Sequence, residues 1–145
     1  MGTKSSIEQL NSFLRGEMSA VETYRMALDK LDRASTARDE LLVNLRSHED
    51  RVMALQHAIA AAGGTPAKSS GPWGAFAKIV EGAAKTLGEK TAIAALEEGE
   101  DHGLKDYKAE IDDLDPTCRH LVVNQLIPQQ QQTHDRLSAL KRHLA

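Results

Sequence analysis

The feature that most constrains this chain is an internal repeat at a fixed offset of 83 residues. Leu10, Phe13, Val21 and Leu28 recur as Ile93, Leu96, Leu104 and Ile111. Gly16-Glu17 recurs as Gly99-Glu100, Tyr24 as Tyr107, and Leu31-Asp32 as Leu114-Asp115. Apolar steps of three and four define one buried stripe on a helix, so the repeat predicts two copies of one amphipathic helix. Each copy is followed by a second helical stretch, which makes two pseudo-symmetric helical hairpins.

Helix A is expected to start after a Ser5/Ser6 cap, with Glu8 completing a capping box, and to end near Asp32. Thr36 with Asp39 is the expected cap of helix B, whose stripe is Leu41, Leu45, His48, Val52, Leu55 and Ile59. Gly63-Gly64 and Pro66 then stop it. Residues 63–88 hold the loop-forming run GGTPAKSSGPWG and a short stripe of Trp73, Phe76, Val80, Ala84 and Leu87. They read as a crossover whose aromatics either cover the bundle side or form an oligomer contact. Helix C spans Glu89 to Leu114, Asp115-Pro116 caps helix D, and Pro128 is expected to kink or divide that last helix. The fold class is all-α: one domain over 1–145, an antiparallel four-helix bundle with hairpins at about 6–62 and 89–144.

Composition points the same way. Aromatics are only 3% and Pro is 4 of 145, a mixture that favours helices. No apolar run approaches the ~20 residues a bilayer crossing needs, and no basic-then-apolar leader opens the chain. Net charge is −3, with 18 basic and 21 acidic residues interspersed, so no basic stripe exists for nucleic acid. The expected setting is cytoplasmic, without a membrane or nucleic-acid partner, with self-association as a dimer. Met1-Gly2-Thr3-Lys4-Ser5-Ser6 fits the loose myristoylation pattern, but Ser5 with Glu8 reads better as a helix cap. The lone Cys118 rules out an intramolecular disulfide and a multi-cysteine metal site. Nucleophile-elbow, phosphate-loop and zinc-protease motifs do not occur, which leaves hydrolase and nucleotide-binding readings unsupported.

Chemistry enters through the repeat. Glu17 falls on the stripe between Leu14 and Val21, and Glu100 between Leu96 and Leu104. A buried carboxylate requires a cation, hydrogen-bond donors or a proton. His48 and His134 follow the two hairpin turns at similar depth, so Glu17, His48, Glu100 and His134 are the candidate metal ligands. Two carboxylates with two imidazoles suit iron, manganese or zinc. Tyr24 and Tyr107 are expected to hydrogen-bond the carboxylates, with Arg51 and Gln131 close by. The plainer alternatives are salt-bridged glutamates and hydrogen-bonded core histidines, with no ion. His102 with Glu98 and Asp101 reads as a solvated acidic face before it reads as a surface metal site.

Gly-Glu-x6-Tyr in helices A and C, the Gly-Gly end of helix B and the paired hairpins resemble the ferritin, bacterioferritin and rubrerythrin superfamily over nearly the whole chain. RGEMSAVETYRMAL, SSGPWGAFAKIVEG and ALEEGEDHGLKDY are similar to a bacterial ferritin-like family labelled a domain of unknown function. The resemblance implies a ferritin-like bundle with an iron- or stress-related role. Di-iron members carry Glu-x-x-His on helices B and D. Here those places read His48-Glu49-Asp50-Arg51 and Gln131-Gln132-Thr133-His134, so the bridging glutamates are missing and Arg51 falls where a histidine would be. A second frame, at an offset of 86, pairs Ser47-His48-Glu49 with Thr133-His134-Asp135 and leaves the register open. Two readings follow. One is a bundle binding a divalent ion. The other is a metal-free structural or interaction bundle in which Arg51 neutralises the carboxylates; incomplete motifs weaken an oxidase or peroxidase activity in either case.

Overall fold

In the computed structural model, which describes residues 3–71, 78, 81, 82 and 88–144, both copies of the repeat are long helices. They are α1 (Thr3–Lys30) and α3 (Glu89–Ala109). Their matched positions face inward: Leu10, Phe13, Glu17, Val21 and Tyr24 are buried on α1, and Ile93, Leu96, Glu100, Leu104 and Tyr107 on α3. α2 (Arg38–Ala61) packs on α1, while α4 (Pro116–Leu121) and α5 (Ile127–Leu144), joined by a π turn over Val122–Leu126, make the fourth bundle helix. α5 packs mainly on α3, and α1 with α3 and α2 with α5 close the bundle.

The core is layered along the bundle. One apolar cluster gathers Tyr24, Leu28, Leu31, Leu41, Leu96 and Leu137. A second, at the other end, gathers Leu10, Leu14, Leu55, Ile59, Val122 and Leu126. Each fully buried aliphatic side chain contributes about 1.5–3 kcal/mol, enough in sum to offset a polar layer between the clusters. That layer holds Glu17, Asn44, His48, Arg51, Glu100, Gln130 and Thr133, all buried.

Helix ends show where local signals hold. Gly63, at φ +87°, follows the last turn of α2 and the Gly64 N–H reaches back to the Ile59 carbonyl at 2.9 Å, a glycine-closed helix end. The Asp115 side chain accepts from the Cys118 N–H at 2.9 Å, with Pro116 in the first turn.

Elsewhere the expectations move. α1 begins at Thr3, before the expected cap, and the Ser6 hydroxyl instead accepts from the Asp115 N–H across the bundle. Thr36 makes no cap: the residue before α2 is Ala37, whose N–H is taken by the Ser35 hydroxyl at 3.1 Å. α3 stops at Ala109, short of Leu114, and a 3-10 turn over Ile111–Asp113 tightens the chain toward Asp115.

The last helix is divided just ahead of Pro128. Proline has no N–H to continue the ladder and its ring crowds the preceding turn. The chain widens there, and the Ile127 N–H bonds to Val122 five residues back. Lys78, Glu81 and Gly82 of the crossover are helical. The expected stripe of Trp73, Phe76, Val80, Ala84 and Leu87 lies outside the described residues.

Candidate functional site

α1 and α3 present their repeated glutamates to one another across the bundle centre, and α2 supplies what stands between them. His48 Nδ1 is 2.5 Å from Glu17 Oε1, and His48 Nε2 is 2.6 Å from Glu100 Oε2. A neutral imidazole has only one N–H, so only the doubly protonated ring can donate to both carboxylates. Charge and hydrogen bonding agree on that state. Burial is the largest single influence and disfavours the imidazolium, but the charges of Glu100 and Glu17 and the Glu100 hydrogen bond together raise the His48 pKa against burial and the opposing charge of Arg51.

Arg51, one turn further along α2, is fully buried. Its Nη1 lies 3.4 Å from Glu17 Oε2 and donates to Gln130 Oε1, and its Nη2 donates to Thr133 Oγ1 at 3.0 Å. Burial pushes the Glu17 pKa up, yet the positive charges of Arg51 and His48 bring it below the ordinary value. For Glu100 burial again acts upward, and His48, Arg51 and the Thr133 hydroxyl overcome it, lowering the pKa to about 2. The centre therefore holds two carboxylates against two side-chain cations.

Each tyrosine of the repeat crosses to the other half. The Tyr24 hydroxyl donates to Glu100 Oε2 at 2.5 Å, and that of Tyr107 donates to Glu17 Oε2. Burial and the neighbouring carboxylate raise both phenol pKa values well above the ordinary one. Asn44 donates to the Tyr24 oxygen at 3.0 Å. Thr133 Oγ1 donates to Glu100 Oε1 at 2.7 Å, and Gln130 Nε2 to the same oxygen at 2.9 Å. Gln130 fits because residue 103 is glycine: a Cβ there would stand 2.8 Å from Gln130 Nε2. A cleft of about 740 Å³ between α1 and α3 reaches Glu17, Glu100, both tyrosines and His48.

Of the eight residues singled out in the sequence, Glu17, His48, Glu100, Tyr24, Tyr107 and Arg51 meet here. His134 and Gln131 do not. The His134 side chain is 21% exposed on the outer face of α5, with ring nitrogens 3.7 Å from Asp101 and 3.2 Å from Asp135. Gln131 donates to Asp135 at 2.8 Å on the same surface. The inward residues are instead Gln130 and Thr133, opposite His48 and Arg51 at an offset of 82, a register between neither of the expected frames. One residue rotates a helical position by about 100°, which is why Gln131 and His134 turn outward. Asn44 and the Gln130–Thr133 pair were missed, although their three-residue spacing matches His48–Arg51. On the outer face of α3, His102 pairs with Asp106 at 3.3 Å and Asp101 with Lys105 at 3.0 Å, the solvated acidic surface that the sequence suggested.

The donor set does not fit a metal ion as arranged. Both His48 nitrogens are engaged with carboxylates on opposite sides of the ring, and the Arg51 guanidinium stands beside Glu17. Among the described residues no three His, Cys, Asp or Glu side chains converge as metal ligands. The positions facing the two glutamates carry His48, Arg51, Gln130 and Thr133, of which two are cations or protonated and two are neutral.

Comparison with known proteins bears on fold and family. The model of a family described as a domain of unknown function, DUF2383, matches residues 5–113. Among solved structures, the chain is similar to the crystal structure of ferritin-like, diiron-carboxylate proteins from Bacillus anthracis str. Ames. That match has 18% identity and a TM-score of 0.75 over 97% of this chain and 99% of the other. At that identity the likeness establishes a ferritin-like four-helix bundle and nothing about activity. No curated protein matches the chain. No helix among the described residues is long and apolar enough to cross a membrane.

Proposed function

Because the chain belongs to the DUF2383 family, matched over residues 5–113, and has a ferritin-like fold, we propose that it is a ferritin-like bundle working without a metal ion, as a structural or protein-interaction module. One observation carries this reading: the His48 ring lies between the two glutamates at 2.5 and 2.6 Å, occupying the space an ion would need. Arg51 adds the second positive charge. A network this fully hydrogen-bonded holds its members in single positions, which suits a fixed framework.

Self-association belongs to the same reading. Leu42 and Val43, and Met53 three helical turns further along α2, are exposed apolar side chains flanking Arg46 and Glu49, a mixed apolar and charged face for a second copy. Light scattering should then report a dimer that Met53→Lys dissociates.

A metal-handling role is the second reading, favoured by the repeated carboxylates and by the diiron-carboxylate proteins that share the fold. Metal analysis separates the two. After anaerobic loading with iron, manganese or zinc, the purified protein should hold background metal, and chelator should leave its melting temperature unchanged. Stoichiometric metal that disappears in Glu17→Gln would establish the second reading in place of the first.

A further inference from the structure

We infer that His48 and Arg51 together fill the centre's need for positive charge, so that removing both turns the closed polar layer into a divalent-cation site. The inference rests on the metal-independent reading above and adds which groups keep an ion out.

Glu17 and Glu100 are nine-tenths or more buried, and the groups facing them are His48 and Arg51 from α2, Tyr24 from α1, Tyr107 from α3, and the neutral Gln130 and Thr133 from α5. Two negative charges are thus met by two positive ones, the charge of one divalent ion. Deleting both cations would leave buried carboxylates that must take up protons or another cation.

Geometry favours the second outcome for a hard ion. Without the imidazole, Glu17 Oε1 and Glu100 Oε2, held on opposite sides of its ring, border the space it leaves, where one hard ion can bind one carboxylate directly and reach the other through a retained water. Without the guanidinium, Gln130 Oε1 loses its donor and Thr133 Oγ1 loses one partner. The donors left are oxygens, the set that suits manganese or magnesium over softer ions. The cleft between α1 and α3 supplies a path from solvent to both glutamates.

The test uses the full chain as wild type and as the double variant His48→Gly/Arg51→Met, titrated with Mn²⁺ and followed by electron paramagnetic resonance, far-ultraviolet circular dichroism and thermal melting. The double variant should bind about one Mn²⁺ per chain, and each tenfold rise in Mn²⁺ above its Kd should raise its melting temperature further. Wild type should show neither effect. Adding Glu17→Gln and Glu100→Gln to the double variant should abolish binding while leaving the helices formed, since the buried charge is then gone. If the double variant folds yet binds no Mn²⁺, the inference fails. It also fails if the variant is unfolded and Mn²⁺ restores no helix. Mn²⁺ bound by wild type and lost in Glu17→Gln would instead overturn the metal-independent reading, and the inference with it.

Discussion

The two hairpins are alike where they carry negative charge and unlike where they answer it. α1 and α3 match at the two positions that make the centre, each giving one glutamate to the site and one tyrosine to the opposite half. α2 and α5 do not match: α2 presents His48 and Arg51, whereas the equivalent places on α5 hold Gln130 and Thr133. Among the described residues, the positive charge of this layer therefore comes from α2. α5 contributes hydrogen bonds that orient the guanidinium and the Glu100 carboxylate. A symmetric carboxylate framework can thus be balanced asymmetrically, because the charge of the whole cluster, and not of each half, has to cancel in a low-dielectric interior.

The sharpest way to break the comparison is to truncate equivalent positions on the two helices. Arg51→Ala leaves Glu17 short of a cation in a fully buried place and should cost about 3–5 kcal/mol by urea unfolding. Thr133→Ala, its counterpart, should cost about 1–3 kcal/mol, since it removes the hydroxyl's hydrogen bonds with Arg51 and Glu100 but leaves no charge without a counter-charge. Equal losses would mean that charge is not what separates the helices.

pH acts on the same contrast. Glu100 is lowered from 4.5 to about 2, so its stabilisation is present above pH 4.5 and is lost as pH falls toward 2, on the order of 3 kcal/mol over that range. His48 is raised from 6.5, so its share is complete below pH 6.5 and is lost as pH climbs through the higher folded value. Stability should therefore peak between about pH 4.5 and 6.5 and decline on the alkaline side. His48→Gln should abolish that alkaline decline in melts between pH 6 and 10 and also shrink the acid limb, because the His48 charge and hydrogen bond are the largest influences holding the Glu100 pKa down.

Most of the fold was legible because the repeat reports on the two helices that are strictly periodic. Glu17, Glu100, Tyr24 and Tyr107 sit on unbroken stripes, so their inward direction followed from spacing alone. Helix A also gives the depth of His48 and Arg51 through a single turn. The fourth helix was not legible in the same way. The chain from Tyr107 to Gln130 is one residue shorter than that from Tyr24 to His48, even though the π turn before Pro128 takes in one extra residue, because the connection ahead of α4 is shorter than that ahead of α2. Extending the offset of 83 across that irregularity misplaces every later side chain by one position, trading Gln130 and Thr133 for Gln131 and His134. Turn chemistry misled in one hairpin as well, since Ser35 and not Thr36 satisfies the start of α2.

The tyrosines probe the symmetric side of the comparison. Each donates to a buried carboxylate of the other hairpin, so Tyr24→Phe and Tyr107→Phe should each cost about 1.5–3 kcal/mol in chemical denaturation, and by similar amounts. The two changes are coupled through His48, which touches both glutamates, so the double variant should depart from additivity by at least about 0.5 kcal/mol. Additive losses would indicate two independent half-sites.

The smallest effect concerns how each second helix starts. Asp115 caps α4 with its carboxylate on the Cys118 N–H, an interaction that also lowers the Asp115 pKa, while α2 begins at Ala37 with no side-chain cap of its own. Asp115→Ala should therefore cost about 1 kcal/mol, whereas Thr36→Ala, at an exposed position, should stay within about 0.5 kcal/mol of wild type. Thermal melts of the two single variants decide it. A loss at Thr36 equal to that at Asp115 would give the hairpins equivalent starts and confine their asymmetry to the charged layer. The expected inequality extends it to the ends, where the second hairpin holds its shorter turn by a carboxylate cap and a first-turn proline.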